Sequence, residues 1–366
     1  MSREGLRVEV DGQGCLIPGA GIGVYTSRML EALRRQAPQA TFNVWVPASL
    51  GERDPSWREL PSFRFVGRHL VWPGRLRPGP NALYWGPAGS TPLRPPPMPS
   101  VITVHDLAIY REPAWFPRGQ WLSVKVVVPR SIRKAQRVIA VSASTAADVQ
   151  SLFSVEAERI DVVPEGVSPA FAPLPREELE AARRRLNLPD RFILFVGTIE
   201  PRKNVGTLLD AWARLADRPP LVLAGGWGWR SQELRSRLER RSQEVVCLGP
   251  VASRCLPPLY NLATCLVHPS WFEGFGLTPL EAMACGTPVI SSNTSSMPEV
   301  VGDAACLVSP ADVEGWTAAL ERVLGDPELR ASMRAQGLER ARGFTWERAA
   351  ERTLATFAAA LTRSSA

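Results

Sequence analysis

Short apolar runs recur along the chain, each closed by glycine, proline or polar residues and followed by a stretch of helical spacing. Residues 6–10 alternate apolar and polar as a first strand does, and 24–35 place Tyr25, Met29, Leu30 and Leu33 on one helical face. Apolar runs at 42–46, 101–104, 138–141 and 160–163 predict further strands, with Ser142 as an N-cap for the helix after the third of them. Residues 118–137 read as a basic amphipathic helix carrying Lys125, Arg130, Arg133 and Lys134. A stretch from 164 to 175 holds Pro164, Gly166, Pro169, Pro173 and Pro175 and reads as a linker. A second series then begins: helix 177–186, strand 192–196, helix 205–215, strands 221–224 and 245–248, helix 256–263, strand 265–268 and a buried strand from Pro288. The tail reads as three helices, 313–324, 328–343 and 346–361. Alternating strand and helix predicts an α/β protein with parallel sheets. The pattern divides into two doubly wound, Rossmann-like domains, 1–170 and 171–345, facing each other across a cleft.

Length and composition agree with this. A chain of 366 residues, 45% hydrophobic, is enough for two packed cores. No apolar run reaches the ~18 residues a membrane span needs. The charged start, MSREGLRVEV, runs straight into a strand pattern and does not resemble a signal peptide. The cysteines Cys15, Cys247, Cys255, Cys265, Cys285 and Cys306 have no metal-ligand spacing and mostly lie among apolar residues, as buried thiols of a reducing, cytoplasmic compartment do. The net charge of +7 is concentrated in residues 1–170, where 20 Arg and Lys face 14 Asp and Glu. That half is therefore the one expected to meet an anionic partner, such as a membrane surface or a phosphate-bearing substrate. Arg64, Arg68, Arg75 and Arg77 around Trp72 read either as a basic-aromatic surface for lipid phosphate or as a solvated irregular loop. No signature of nucleic-acid binding accompanies them.

Candidate chemistry gathers at predicted strand ends. Gly12, Gly14, Gly19, Gly21 and Gly23 follow the first strand. Their spacing puts Ile17 or Val24 where a dinucleotide-binding fingerprint needs its third glycine, so that cofactor is not expected. His105 ends the strand 101–104, where a side chain reaches the ligand crevice of an open sheet. Arg202 and Lys203 follow the strand that ends at Gly197, and they precede a helix whose dipole disfavours cations there. A bound anion would explain them; solvated charges are the plainer reading. Gly225 and Gly226 close the next strand. The stretch 268–290 then carries Glu273, Gly274, Phe275, Gly276, Leu277 and Glu281. Thr278 reads as an N-cap with Pro279 at the first helical position, so Glu281 is open to two readings: a capping-box residue or a ligand group. Glu273 lies among Trp271, Phe272 and Phe275, where an unpaired carboxylate would be costly. The chain lacks a P-loop, a zincin motif, an Asp-x-Asp pair and a nucleophile elbow. Two adjacent cations, glycine-loop amides and carboxylates can neutralise a diphosphate without metal and accept hydrogen bonds from hydroxyls. A nucleotide-sugar presents both.

With these residues in place the chain resembles the retaining glycosyltransferases of family 4, also called glycosyl transferases group 1, which have the GT-B fold. The motifs that carry the likeness are Gly21-Ile-Gly-Val-Tyr25, His105-Asp106, Glu165-Gly-Val167, Gly197-Thr-Ile-Glu-Pro-Arg-Lys-Asn204, Gly225-Gly226 and Glu273-Gly-Phe-Gly-Leu-Thr-Pro-Leu-Glu281, in family order over nearly the whole chain. The resemblance implies that the second domain binds the donor. Arg202 and Lys203 would clamp its diphosphate, Glu273 would hold the sugar hydroxyls and Glu281 the ribose. Backbone around Gly274, Phe275, Gly276 and Leu277, with Gly197, Gly225 and Gly226, would line the site. It also implies that His105 lies near the reacting sugar, that Gly21 to Gly23 approach phosphate and acceptor, and that a last helix within 346–366 crosses back to the first domain. Two positions depart from the usual pattern: Thr198 where many relatives have Arg, and Glu165 where many have Asn. The overall look resembles bacterial mannosyltransferases that build surface polysaccharide. It implies metal-independent transfer, no cofactor, GDP-mannose as donor ahead of a UDP-sugar, and a glycan or lipid-linked acceptor. A sugar-nucleotide epimerase and a non-catalytic binding protein are the readings outside that class.

Overall fold

The computed structural model describes residues 5–13, 21–46, 57–60, 67–241 and 243–362. Gly14, Gly19, Arg64 and Cys15 lie outside them. The chain divides into two compact units. One comprises Met1–Arg111, Arg118–Gly166 and Thr345–Ala366, and the other Glu112–Pro117 and Val167–Phe344.

In the first unit the described strands are β1 (Arg7–Asp11), β2 (Thr41–Val46), β3 (Arg58–Glu59), β4 (Ala82–Gly86), β5 (Ser100–Val104), β6 (Arg137–Ala140) and β7 (Ile160–Val162). They form one parallel sheet in the order β3-β2-β1-β4-β5-β6-β7. β4 and β5 are buried along their whole length, as strands covered on both faces must be. The helix Gly21–Gln36 covers one side with Tyr25, Met29, Leu30 and Leu33, the face that the periodicity picks out. The last helix, Trp346–Thr362, also belongs to this unit and packs on Gly21–Gln36 and on β4, β5 and β6.

The second unit repeats the plan with β8 (Ile193–Val196), β9 (Leu221–Ala224), β10 (Val245–Gly249), β11 (Cys265–His268), β12 (Val289–Ser292) and β13 (Ala305–Val308). Their order is β10-β9-β8-β11-β12-β13, again parallel throughout. Its core joins Phe195, Leu209, Trp212, Leu223, Val267, Ile290, Trp316 and Leu320, all with essentially no exposed surface. In each sheet the order reverses once, between β1 and β4 and between β8 and β11. The strand ends beside such a reversal splay apart and leave a crevice for a ligand.

Several expectations change. Gly21 and Gly23 stand in the first turn of a helix that begins at Gly21, three residues earlier than its periodicity suggests. The proline-, arginine- and tryptophan-rich segment 47–100, read as a basic-aromatic surface or a solvated irregular loop, contains β4, and two of the residues singled out in it face inward. Trp72 is fully buried, and Arg68 is 6% exposed because its guanidinium bonds Asp11 Oδ2 at 2.5 and 2.9 Å. A buried arginine with a carboxylate partner cannot face lipid phosphate. The basic helix is shorter than expected. It contains a π-helical turn, Ser123–Val127, followed by Val128–Lys134, and Arg137 already belongs to β6. Trp121, 67% exposed, and Leu122 are the large apolar residues at its start, with Lys125 exposed beside them. Among the described residues no helix is long and apolar enough to cross a membrane. The described cysteines are free; Cys265 and Cys285 are buried as expected, whereas Cys247 is exposed.

Candidate active site

The candidate groups of the second unit meet at its sheet reversal. β8 ends at Val196, and the chain continues through Gly197 into the short 3-10 turn Pro201–Lys203. Asn204 closes that turn in the left-handed conformation, φ 55°, a region asparagine tolerates better than most residues. Its side-chain amide donates to Pro269 O at 3.1 Å and to Pro310 O at 2.8 Å, pinning the turn to the loops after β11 and β13. The Arg202 carbonyl accepts from Trp271 N at 2.9 Å. Arg202 and Lys203 therefore stand beside the loop that follows β11.

Glu273, 8% exposed, is the centre of this cluster. Its Oε1 accepts from Lys203 Nζ at 2.5 Å and from His268 Nε2 at 3.1 Å. Its Oε2 accepts from Arg202 Nη1 at 2.8 Å. Burial alone would raise the Glu273 carboxyl, but the Lys203 and Arg202 charges outweigh it and hold the group well below the usual carboxylate range. Burial lowers His268, against the pull of Glu273, so this imidazole is neutral at neutral pH. Its proton sits on Nε2, toward the carboxylate, and the buried Nδ1 has no partner. On the other side Arg202 meets Glu200, whose carboxyl burial pushes up against the opposing charges of Arg202 and Lys203.

The loop around Glu273 is fixed by main-chain contacts. Glu273 N donates to Ser295 Oγ at 2.9 Å, and Ser296 Oγ donates to the carbonyls of Glu273 and Phe275 at 2.9 and 2.6 Å. Gly276, φ 118°, then caps the helix Leu277–Ala284. This corrects the expected start: Thr278 is inside the helix, not its N-cap, and no side chain caps the end. The chain turns into the helix at Gly276 because a Cβ there would lie 2.3 Å from Met297 Cε. Glu281 is consequently two positions further in than a capping box requires, and its Oε2 accepts from Tyr260 OH at 3.0 Å. Burial, and then the Glu281 charge, keep the Tyr260 phenol neutral and able to donate.

Gly197 and Gly225 serve packing. Their amides donate within the sheet, to Ala224 O at 2.9 Å and Gly249 O at 2.8 Å. A Cβ on Gly225 would stand 1.9 Å from Gly197 O. Gly226 accepts through its carbonyl from Ile199 N at 2.9 Å. The amides heading the helix at Leu277 are the better-placed backbone donors, since the first turn of a helix has no intrahelical acceptors for them.

His105 belongs to the first unit, at the end of β5, the strand next to β4 and one strand removed from that sheet's reversal. Its Nε2 donates to Pro87 O at 2.8 Å, and its Nδ1 lies 3.0 Å from Glu165 Oε1. A carbonyl and a carboxylate are both acceptors, a setting that favours the doubly protonated ring. Burial by itself would lower this imidazole, but the bond to Glu165, its charge and the Pro87 carbonyl together raise it above the ordinary value. Tyr25 stacks edge-on against the ring, with centroids 4.6 Å apart.

The structure thus joins Arg202, Lys203 and Glu273 in direct contact and sets Glu281 on the helix that follows; His105, Gly21 and Gly23 are in the other unit. Sequence reasoning missed His268 and Glu200 as partners of the cluster, Ser295 and Ser296 as its loop anchors, and Tyr260. A visible signal existed for His268, one of only three histidines, directly at a predicted strand end.

Two doubly wound parallel units, the second with a cation–carboxylate cluster at its sheet reversal, are the architecture of GT-B proteins. Residues 177–340 match the model of the glycosyl transferases group 1, and residues 20–171 that of glycosyltransferase family 4. Similarity to O-antigen chain mannosyltransferase B of Escherichia coli reaches 35% identity over 294 residues, 78% of this chain and 76% of that protein. A serotype-specific mannosyltransferase, WbdA, from the same organism is 33% identical over 235 residues, but the chain spans only 29% of its length. Among solved structures, sucrose-phosphate synthase from Thermosynechococcus elongatus superposes with a TM-score of 0.74 at 23% identity, covering 96% of this chain and 98% of that one. The glycosyltransferase WaaG superposes at 0.71 and 16%, covering 95% and 98%. The chain belongs to the family 4, group 1 glycosyltransferases.

Proposed function

We propose that this enzyme moves a hexose, mannose in the favoured reading, from a nucleoside-diphosphate sugar to a glycan or lipid-linked acceptor, with retained anomeric configuration and without a metal. The observation that carries the reading is the Lys203–Glu273–Arg202 cluster at the β8/β11 reversal. There a cation on a flexible stem and an ionised carboxylate lie side by side, as a donor with a diphosphate and a hydroxyl-rich sugar requires. Lys203 Nζ takes the diphosphate, Glu273 accepts from sugar hydroxyls, and Glu281 accepts from the ribose while still bonded to Tyr260. The acceptor hydroxyl attacks the anomeric carbon on the face from which the diphosphate leaves. The bond from that carbon to the phosphate oxygen breaks, and the acceptor's proton passes to the departing oxygen. Lys203 stabilises the charge that grows there. Both nitrogens of His105 face acceptors of the protein, Pro87 O and Glu165, so neither is free to take the acceptor's proton as a base.

Mannose is favoured over glucose because the similar Escherichia coli proteins are named mannosyltransferases. UDP-sugars remain the second reading, since a fold relative, HepE, is described in complex with UDP and glucose. A thermal-shift screen against GDP-mannose, UDP-glucose, UDP-GlcNAc and NAD tests the choice. GDP-mannose should raise Tm most. Stabilisation by NAD alone would overturn the donor reading altogether.

A further inference from the structure

Arg202 and Lys203 are adjacent, equally basic and almost equally covered, at 14% and 13% side-chain exposure, so neither sequence nor burial separates their roles. Their donors do. All three nitrogens of Arg202 already face oxygen acceptors of the protein. Nε and Nη2 lie 3.2 and 3.1 Å from Glu200 Oε1, and Nη1 donates to Phe272 O and to Glu273 Oε2, each at 2.8 Å. The main chain of the same residue bonds Trp271 N. Arg202 thus grips the 271–273 segment by backbone, by one peptide carbonyl and by the Glu273 carboxylate, while Glu200 holds the guanidinium from behind. A planar fork anchored on both sides is a rigid brace. Lys203 differs: its ammonium carries three protons and its stem lies beside Gly197, where a Cβ would come within 3.8 Å of Lys203 Cε. It can turn from Glu273 to an incoming anion without unfastening the loop.

We propose that Arg202 is a positioning residue, braced by Glu200, which fixes the Glu273 carboxylate for the donor's sugar, and that Lys203 alone of the pair binds the diphosphate. This rests on the donor-domain reading above and divides its labour: Arg202 acts on the sugar through Glu273, and Lys203 acts on the phosphates. An apparent two-cation clamp becomes one phosphate ligand and one structural brace.

The test measures affinities of the full chain for GDP and GDP-mannose by calorimetry, with UDP and UDP-glucose run alongside. Lys203→Ala should weaken the nucleoside diphosphate by on the order of tenfold or more, the loss of a charge-assisted contact. Arg202→Gln should bind the same nucleoside diphosphate within about threefold of the unaltered protein, which also shows that it folds, since that much change is within ordinary context effects. The ratio of nucleotide-sugar to nucleotide affinity should fall roughly tenfold, the scale of one hydrogen bond to a charged group. Arg202→Lys should not restore it, because a lysine lacks the fork. Adding Arg202→Gln to Glu273→Gln should lower the ratio no further than Glu273→Gln alone, because the brace acts through that carboxylate. If Arg202→Gln loses nucleoside diphosphate affinity in step with Lys203→Ala and Arg202→Lys recovers it, Arg202 is a phosphate ligand and the proposal falls. Should the Arg202 variants not fold, Glu200→Gln carries the test: the same fall in the ratio supports the brace, and an unchanged ratio overturns it. An unaltered protein that binds none of the four nucleotides would instead defeat the donor-domain reading, and this inference with it.

Discussion

Glu165 and Glu273 each hold a histidine, with opposite results. Glu165 meets an imidazole whose other nitrogen also donates, and His105 is raised above its ordinary value of 6.5. Glu273 meets a buried imidazole enclosed beside the cations Lys203 and Arg202, and His268 is lowered. The difference sets a pH dependence with two limbs. His105 binds its proton more tightly folded than unfolded, so its contribution to stability is complete below pH 6.5 and is lost as pH rises through the folded value. Glu273 is depressed, so its contribution is complete above its unfolded value of 4.5 and is lost as pH falls through the folded one. Melting curves from acid to alkaline pH should show the alkaline limb flatten in Glu165→Gln, which removes the charge that holds the His105 proton, while the acid limb stays. An unchanged alkaline limb in that variant would mean that His105 is not paired as an imidazolium. At this scale the sequence was legible where chemistry and position coincided. His105, Lys203 and Glu273 stood out because charge at a strand end is unusual. The pairing of Glu165 did not, because its partner is set by folding across 60 positions and spacing carries no trace of it; Glu200 is only two residues from Arg202, but nothing in the spacing tells such a pair from two solvated charges.

Strand ends and the glycines behind them decide where those side chains go. Strands such as β9 and β11 were readable as four-residue apolar runs because both faces of a parallel sheet are covered. β4 was not, since Ala82–Gly86 lies in a segment dense in proline, arginine and tryptophan whose burial is supplied by Trp72, Leu76 and the last helix. The start of the helix Leu277–Ala284 was misread for a related reason. Thr278 and Pro279 form a plausible local cap, but the close packing of Gly276 on Met297 places the turn two residues earlier. These glycines predict graded damage. Gly276→Ala meets φ 118° and the flexible end of Met297, and should destabilise the protein by about 1–3 kcal/mol. Gly225→Ala meets φ 151° and the fixed carbonyl of Gly197 at 1.9 Å, a clash with no side chain to move, and should cost more than Gly276→Ala by roughly 1–3 kcal/mol further. Denaturant titration orders the two variants; equal loss, or a larger loss at Gly276, would contradict the close approach of the β8 and β9 ends.

For the molecule as a whole, the alternation of strand and helix was sufficient to indicate two doubly wound sheets, because each βα unit follows from local pattern and the crossover rules leave few ways to arrange it. What pattern could not provide was the strand order, and with it the reversal between β8 and β11 that brings residues 200–203 beside 268–273. Family membership makes the chain a glycosyltransferase, and the central claim beyond that is metal-independent use of a nucleotide-sugar by the cluster at this reversal. The most direct measurement is the release of GDP from GDP-mannose by the full chain in the presence of EDTA, with water standing in as the acceptor hydroxyl and UDP-glucose in parallel, for the unaltered protein and Lys203→Ala. The account predicts release that EDTA leaves intact and that Lys203→Ala lowers by about two orders of magnitude, comparable to removing one group that stabilises developing charge. Release abolished by EDTA, or a near-unaltered rate in Lys203→Ala, would contradict it.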